Sequence, residues 1–536
     1  MQLMTPQGKL IGSAVDSAQN IVRFAGIPYA VPPVGSRRWK SAEPSARWGG
    51  VREATYFGPA SIHPPGSDSQ GLYRNLLGLQ SEDCLYLNVW TPEPQAEAKL
   101  PVMVWIHGGS LTGGTGSAYD GTALAKKGVV VVTINYRLGI LGYFAHPELS
   151  AESPHSASGN YGTSDQIQAL HWVRENISAY GGDPDNVTIF GESAGSLSVN
   201  HLMASPRANG LFHRAIGQSG GNFFPMPHLK EACRDEPSAE ERGHKLASAI
   251  GKPSLEELRE MTAVELTEQV WKSGMIPYGS MAVVDGWIFP ETVRDAFANG
   301  RQADVPVIVG YTSDEGSGLA DYGVLPPIPE TPQQYEDRVA ACYGELANAY
   351  LEIYPANSPQ ESVFSAYRDG MFGWQMETWA KQMKTVTSKA YLYYFSHVPP
   401  GADQMRTTPD GSIIRPLGAF HAADIAYGFN NVGQPGWNPA TNDDFSATEA
   451  DRVLADTMSN YWVAFAKNGD PKVAGQPMWP AYTDADRHYM ELNAGASPRR
   501  DLLPGAWDIQ QRSAEQQALE GQFGGFDSVA LWARLG

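Results

Sequence analysis

The 536-residue sequence predicts an α/β protein with a large, mostly parallel, doubly wound sheet flanked by helices. Short apolar runs typical of buried strands recur along the chain with helical segments between them, which is the pattern of such a sheet. Because no linker, low-complexity tract or fixed-period repeat interrupts the sequence, we expect a single domain over residues 1–536 with long insertions that form a cap. The predicted strands are residues 85–90, 101–106, 129–135, 187–190, 305–311 and 390–395.

The charge balance argues against two classes of partner. The formal net charge is −19, so we expect no binding to nucleic acid or to an anionic membrane. No stretch approaches the length of an apolar membrane span, and the first residues lack the basic and apolar regions of a signal peptide. We therefore expect a soluble protein, cytoplasmic as the chain stands, and periplasmic or secreted if a leader has been removed.

Two stretches match the pattern G-x-S-x-G, at residues 191–195 and 217–221. A nucleophile elbow needs a buried strand, a sharp turn with small neighbours and then a helix. Ser193 follows the apolar run 187–190 and precedes a segment with helical apolar spacing. Ser219 follows a plausible strand, but the glycines and proline after it do not favour a helix. The context indicates that Ser193 is a nucleophile and that Ser219 is a loop residue near the site.

A glycine-rich segment, residues 107–114, follows the predicted strand 101–106. Glycines let backbone N–H groups approach a ligand closely, and such a loop can supply oxyanion donors together with the N–H of Ala194, the residue after the serine. The alternative is a plain glycine-rich turn. No phosphate-loop lysine or dinucleotide-binding spacing accompanies these glycines, so they indicate no nucleotide cofactor.

An acid and a histidine after the serine would complete the chain order of this class of hydrolase. Asp314 and Glu315 follow the predicted strand 305–311, although an acidic pair in a loop is more often a solvated charge. Three histidines follow the acids, namely His397, His421 and His488. His421 has small neighbours that leave room for its ring, but spacing by itself does not exclude the other two.

With these residues considered together, the chain resembles the type B carboxylesterases, which include para-nitrobenzyl-type esterases and the cholinesterases. The resemblance covers nearly the whole chain and implies the α/β-hydrolase fold, with the cap insertions placed over an active-site gorge. The segments that carry it are 24–30, 32–35, 81–90, 181–184 and 190–196.

The resemblance also implies a role for individual residues. It makes Ser193 the nucleophile, His421 the general base and later acid, and Glu315 rather than Asp314 the acid that orients the histidine. No metal or cofactor is expected. The residues implied in supporting roles are the oxyanion-hole donors Gly109, Ser110 and Ala194, Ser219 beside the acid, and the structural ion pairs Arg38 with Glu82 and Arg137 with Asp165.

The sequence departs from the family pattern in two places. The family often bridges the cysteine at the position of Cys84 to one at the position of Ser61, so that disulfide is absent here. The other cysteines are Cys233 and Cys342, and we expect reduced thiols. The choline-binding tryptophan of cholinesterases is also missing from the segment 72–76, so choline esters are poor candidates for the substrate.

The resemblance implies ester hydrolysis through an acyl-enzyme, and we expect small to medium hydrophobic or aromatic esters as substrates. An amide, a carbamate or a polycarboxylic, mycotoxin-type ester would use the same residues, and a non-catalytic adhesion or binding relative is the remaining alternative. Aromatic and methionine side chains in the insertions could line a gorge or pack the core of the cap; they are Phe223, Phe224, Trp271, Met275, Tyr278, Phe372 and Trp374.

Overall fold

The computed structural model divides the chain into two compact units. The first contains Met1–Ile216, Met226–Pro306 and Val463–Asp470, and the second contains Gly217–Pro225, Val307–Trp462 and Pro471–Gly536. The structure describes all residues except 19, 66–77, 233–236, 277–280, 320–327, 408–412, 435–436, 438–445 and 521–536. Cys233, Tyr278 and the segment 72–76 therefore lie outside the described residues.

A sheet with a parallel centre forms the core of the first unit. Its strand order is β1-β2-β3-β5-β7-β6-β8-β9, and β4 pairs with β2. Strand β6 pairs in parallel with β7 and β8, whereas β1, β2, β3 and β5 form an antiparallel flank. The strands are β1 (Gln2–Thr5), β2 (Gly8–Asp16), β3 (Ile21–Pro28), β4 (Val51–Ala54), β5 (Tyr86–Thr91), β6 (Leu100–Ile106), β7 (Val130–Ile134), β8 (Gly182–Glu192) and β9 (Arg214–Gln218).

Nine α-helices of the first unit are described. Three consecutive ones begin with a capping box, in which Ser238, Ser254 and Thr262 each accept a bond from the backbone N–H three residues later. The helices are α1 (Thr122–Ala125), α2 (Gly139–Tyr143), α3 (Pro147–Glu152), α4 (Tyr161–Asn176), α5 (Ala194–Ala204), α6 (Ala239–Ala249), α7 (Leu255–Glu260), α8 (Ala263–Ser273) and α9 (Val293–Ala298).

The second unit contains the strand order β10-β11-β14-β15 and a separate pair, β12 with β13. Strands β10, β11 and β14 run parallel, and β15 returns antiparallel to β14. The strands are β10 (Val307–Thr312), β11 (Ala390–Phe395), β12 (Arg406–Thr407), β13 (Ile413–Ile414), β14 (His488–Leu492) and β15 (Ala496–Arg500). The helices are α10 (Glu315–Leu319), α11 (Pro332–Tyr343), α12 (Ala347–Ile353), α13 (Pro359–Tyr367), α14 (Trp374–Gln382), α15 (Ile425–Gly428), α16 (Glu449–Asn468, which crosses into the first unit) and α17 (Ala506–Glu520).

All six predicted strands are present, with bounds that shift by up to two residues except in β8. That strand extends the predicted run 187–190 to Gly182–Glu192 because its first half is polar and gave no apolar signal. Strands β1, β2, β3 and β4 were not among the predicted strands. Within the described residues, no helix is both long and apolar enough to cross a membrane. A single domain and a cytoplasmic location stay predictions.

Candidate active site

Ser193 lies at a sharp turn between β8 and α5. Its backbone has φ 56° and ψ −125°, a combination that costs energy for any residue with a side chain and is typical of functional turns. A Cβ on Gly195 would lie 2.0 Å from the carbonyl oxygen of Ile106, so only glycine lets the helix start so close to β6. The predicted strand, turn and helix are therefore present around Ser193.

The other G-x-S-x-G stretch has no such context. Ser219 is fully buried, has φ 53°, and donates its backbone N–H to the carbonyl of Gly310. No helix follows it, so the prediction of a loop residue is confirmed. Its Oγ makes no hydrogen bond within the described part of the chain, and its partnership with Glu315 stays a prediction.

The glycine-rich loop packs directly against the nucleophile turn. A Cβ on Gly108 would lie 2.7 Å from the carbonyl oxygen of Glu192 and 3.1 Å from Cβ of Ser193. The next residues leave the ordinary backbone regions, because φ is 103° at Gly109, 56° at Ser110 and 58° at Leu111. Such a strained loop beside a serine is the kind of feature that marks a reacting centre.

Hydrogen bonds fix the direction of two peptide groups in this loop. The carbonyl of Gly108 accepts from Nδ1 of His107 at 2.8 Å, and the carbonyl of Gly109 accepts from the N–H groups of Thr112 at 2.9 Å and Gly113 at 2.8 Å. In a trans peptide the N–H points opposite to the C=O. The N–H groups of Gly109 and Ser110 therefore point away from the interior of the loop, as oxyanion donors must.

Buried side chains that the sequence did not single out hold this loop. The His107 ring stacks on Tyr136 at 4.5 Å, and the Tyr136 hydroxyl donates to the His107 carbonyl at 2.8 Å. Burial lowers the pKa of His107 to about 3, so its ring stays neutral. His63 Nε2 bonds Gly114. The only sequence signal for His107 is its position directly after a predicted strand. No local sequence pattern indicates a role for His63.

Glu315 and His421 form a buried hydrogen-bonded pair in the second unit. Oε2 of Glu315 lies 2.5 Å from Nδ1 of His421, although the residues are 106 positions apart in the sequence. Oε1 of the same carboxylate accepts the N–H of Thr312 at 2.9 Å. The second ring nitrogen of His421 points away from the acid, which is the geometry of a base whose tautomer is set by a carboxylate.

Asp314 has a different role from Glu315. Its carboxylate accepts from the guanidinium of Arg415 at 3.0 Å and from the N–H of Ala419 at 3.1 Å. The backbone of Asp314 forms an isolated parallel β-bridge with Phe420. Asp314 therefore fastens the segment just before His421, whereas Glu315 bonds the ring.

The alternative histidines have other partners. His397 bonds the carboxylate of Asp451 at 2.6 Å through Nε2. His488 accepts at Nε2 from Nε of Arg500 at 2.9 Å, at the outer edge of the sheet in the second unit. The described hydrogen bonds of the Glu315 carboxylate are to Thr312 and His421. Neither His397 nor His488 is among these partners.

Asp424 is a further buried carboxylate that the sequence analysis missed. It accepts from the Tyr393 hydroxyl at 2.6 Å and from the Gln218 amide at 3.1 Å. Burial, with a smaller contribution from the nearby Glu315 carboxylate, raises the pKa of Asp424 to about 6, although the hydrogen bonds from Tyr393 and Gln218 and the charge of His421 act in the opposite direction. A second titratable acid therefore lies in the electrostatic environment of the pair.

Most of the aromatic residues proposed for a gorge are buried. Phe224 packs on Trp374 with ring centroids 5.2 Å apart, and the ring of Phe372 lies 4.9 Å from the ring of His421. Phe223 is also buried, whereas Trp271 is 47% exposed. Packing in the core thus accounts for several of these side chains, and Phe372 contacts the histidine.

The ion pairs implied by the resemblance are present in the first unit. Arg38 bonds both oxygens of Glu82, at 2.6 Å and 2.8 Å, and Arg137 bonds both oxygens of Asp165, at 2.8 Å and 2.6 Å. Cys84 is a free, buried thiol. Among the described residues, no group of three or more His, Cys, Asp or Glu side chains is placed to hold a metal ion.

Comparison with known proteins identifies the family. Residues 1–510 match the model of the carboxylesterase family. The chain is 36% identical to a fumonisin B1 esterase of Sphingopyxis macrogoltabida, over 88% of this chain and 83% of that protein, and 34% identical to the para-nitrobenzyl esterase of Bacillus subtilis, over 93% and 96%. The structure matches a solved PNB esterase with a TM-score of 0.77 and 30% identity, covering 96% of this chain and 99% of the other. The chain belongs to the carboxylesterase family and is an ester hydrolase with the α/β-hydrolase fold.

Proposed function

We propose that the protein hydrolyses hydrophobic or aromatic carboxylic esters of small to medium size through an acyl-enzyme on Ser193. The observation that carries this proposal is the contact of the glycine-rich loop with the nucleophile turn, where a Cβ on Gly108 would lie 3.1 Å from Cβ of Ser193. This contact supports an oxyanion hole beside the serine, built from the N–H groups of Gly109, Ser110 and Ala194.

In the proposed reaction, His421 takes the proton of the Ser193 hydroxyl as the oxygen attacks the ester carbonyl carbon. The carbonyl oxygen becomes an oxyanion held by the backbone N–H groups. His421 then gives the proton to the leaving alcohol, and the acyl group stays on Ser193. A water activated by His421 attacks the acyl-enzyme and releases the acid. The 2.5 Å hydrogen bond between Nδ1 of His421 and the Glu315 carboxylate supports a role for Glu315 in fixing the tautomer of the ring and stabilising the imidazolium.

An apolar cleft in the first unit supports the substrate class. It opens to solvent and shares Thr112 with the glycine-rich loop. None of the described side chains that line the cleft is charged, so the cleft favours an alkyl or aryl group over a carboxylate. The lining residues are Ile62, Pro64, Thr112, Leu138, Gly139, Ile140, Thr267, Val270, Trp271 and Ile276.

A polycarboxylic, mycotoxin-type ester is the second candidate substrate. The observation that favours it is the 36% identity with the protein named fumonisin B1 esterase. The uncharged lining of the cleft favours the hydrophobic ester instead. An amide or carbamate would use the same catalytic residues, and relative turnover of matched ester and amide substrates separates those cases.

The test is hydrolysis of p-nitrophenyl esters from acetate to octanoate by the wild type and by Ser193→Ala, with labelling by a fluorophosphonate. We expect the variant to lose about five to six orders of magnitude in kcat together with the label. Ser219→Ala is the matched control, since it removes the serine of the other G-x-S-x-G stretch and should keep the label. Equal turnover by Ser193→Ala and the wild type would reject the nucleophile.

A further inference from the structure

His63 is a buried histidine that the proposed reaction does not use. Its side chain belongs to the first unit, and the whole residue is only 6% exposed. Nε2 accepts the backbone N–H of Gly114 at 2.7 Å, and the backbone N–H of His63 donates to Oε1 of Gln80 at 2.9 Å. The neighbours Ile62 and Pro64 line the apolar cleft. The ring is thus anchored beside the cleft and reaches the far end of the glycine-rich loop.

Gly114 closes the loop onto its own beginning. A Cβ on Gly114 would lie 2.3 Å from Nδ1 of His107 and 2.5 Å from the carbonyl oxygen of Gly108, and its φ of 107° suits only glycine. Gly108 is the residue that contacts Ser193. The position of Gly114 therefore constrains the peptide that carries the N–H of Gly109, and a bond that holds Gly114 also constrains the loop.

We propose that His63 is a positioning residue for the oxyanion loop: by accepting the Gly114 N–H, its ring holds the loop in the form that presents the N–H groups of Gly109 and Ser110. This inference rests on the proposed function of that loop. His63 touches neither the serine nor the reacting carbonyl in this scheme, and it acts through the backbone between Gly109 and Gly114.

The bond requires one state of the ring. A nitrogen that accepts an N–H carries no proton, so Nε2 is the unprotonated nitrogen while it bonds Gly114. The Gly114 carbonyl lies 3.0 Å from the same Nε2, and it would become the acceptor if Nε2 carried a proton. The shorter 2.7 Å contact favours the accepting form. An amide oxygen placed at about the position of Nε2 can accept the Gly114 N–H in its place, whereas an alkyl group cannot.

The experiment compares His63→Leu, which removes the acceptor, with His63→Gln, whose amide oxygen restores it. On p-nitrophenyl butyrate we expect His63→Leu to lower kcat by about 10- to 100-fold with KM changed by less than about twofold, because the loop acts on the transition state. Affinity for a trifluoromethyl ketone, which forms a tetrahedral adduct with the serine, should fall by the same factor as kcat/KM. His63→Gln should recover kcat to within about threefold of the wild type.

His146→Leu is the matched control. His146 is also buried in the first unit, and its Nδ1 accepts a backbone N–H, that of Glu148, at 3.3 Å. It should lower thermal stability without changing kcat by more than about twofold. If His63→Leu does not fold, His63→Asn keeps a polar side chain that is too short to reach Gly114 and should show the same loss in kcat.

Three results would overturn the proposal. They are an unchanged kcat in folded His63→Leu or His63→Asn, a loss that His63→Gln does not recover, and a rise in KM with kcat unchanged, which would place His63 in substrate binding. A failure of the proposed function itself is distinguishable, because Ser193→Ala would then keep the wild-type turnover in the same assay.

Discussion

Two histidine–carboxylate pairs among the described residues of the second unit have nearly equal lengths, and they differ in the ring nitrogen that makes the bond. His421 bonds Glu315 through Nδ1 at 2.5 Å, whereas His397 bonds Asp451 through Nε2 at 2.6 Å. A base for a serine acts through Nε2 while a carboxylate holds Nδ1. In His397, the nitrogen that a catalytic base would use, Nε2, is already bonded to Asp451. The two pairs are nearly equal in length, so the length of the bond does not distinguish a catalytic pair from a structural one.

The two carboxylates also differ in their other partners. Asp451 accepts from the Tyr427 hydroxyl at 2.7 Å and from the Thr448 N–H at 2.7 Å, at the start of α16. Burial opposes its ionisation, but the hydrogen bonds from His397, Thr448 and Tyr427 prevail and hold the pKa of Asp451 well below its usual range. The Asp451 carboxylate therefore caps the start of α16 and also bonds His397. Glu315 joins a strand end to a histidine.

Exchanging each histidine for glutamine gives the largest predicted contrast. His421→Gln should lower kcat by at least about four orders of magnitude, because it removes the proposed base. His397→Gln, the matched variant, should keep kcat within about twofold, since its ring holds a helix cap. The measurement is kcat on p-nitrophenyl butyrate, with circular dichroism to confirm folding. Comparable losses in both variants would contradict the distinction between the pairs.

Removing the charge of the acid should give the next largest effect. Glu315→Gln keeps the size of the side chain but no longer stabilises the imidazolium, so we expect kcat to fall by about three to four orders of magnitude. The label from the fluorophosphonate should still form, more slowly. Asp314→Asn is the control at the adjacent position, and its kcat should fall far less. A larger loss in Asp314→Asn would reverse the assignment of the acid.

Asp451→Asn should affect stability instead of chemistry. We expect a loss of about 1–3 kcal/mol in the free energy of unfolding at pH 7, with kcat within about twofold of the wild type. Because the pKa of Asp451 is lowered by folding, this contribution is present above the unfolded pKa of about 4 and is lost as the pH falls below it. Urea denaturation at pH 7 and at pH 3.5 should therefore show the difference shrinking at the lower pH.

Asp424→Asn should give the smallest effect, a shift in the pH profile. The ionised carboxylate of Asp424 interacts favourably with a protonated His421, so removing it makes the proton easier to lose. We expect the acidic limb of kcat/KM to move to lower pH, by up to about one unit. A profile measured from pH 4 to pH 9 checks this, and a move to higher pH would contradict it.

The sequence by itself indicated the turn that holds the proposed nucleophile, because the geometry of that turn is local. A strand, a turn of small residues and a helix are encoded in consecutive positions, so Ser193 could be separated from Ser219 without a structure. The glycine-rich loop was recognisable for the same reason. The family, the fold class and six strands also followed from motifs and apolar runs, and the comparisons and the structure confirm them.

Only the tertiary structure decided which distant side chains meet. Glu315 and His421 are 106 residues apart, and spacing left His397 and His488 open until the family resemblance favoured His421. His63 lies 51 residues before Gly114, and Asp424 lies 206 residues after Gln218, so no local pattern announces either contact. The physical reason is that a backbone turn depends on the sterics of neighbouring residues, whereas a buried hydrogen bond depends on how strands and loops far apart in sequence pack together.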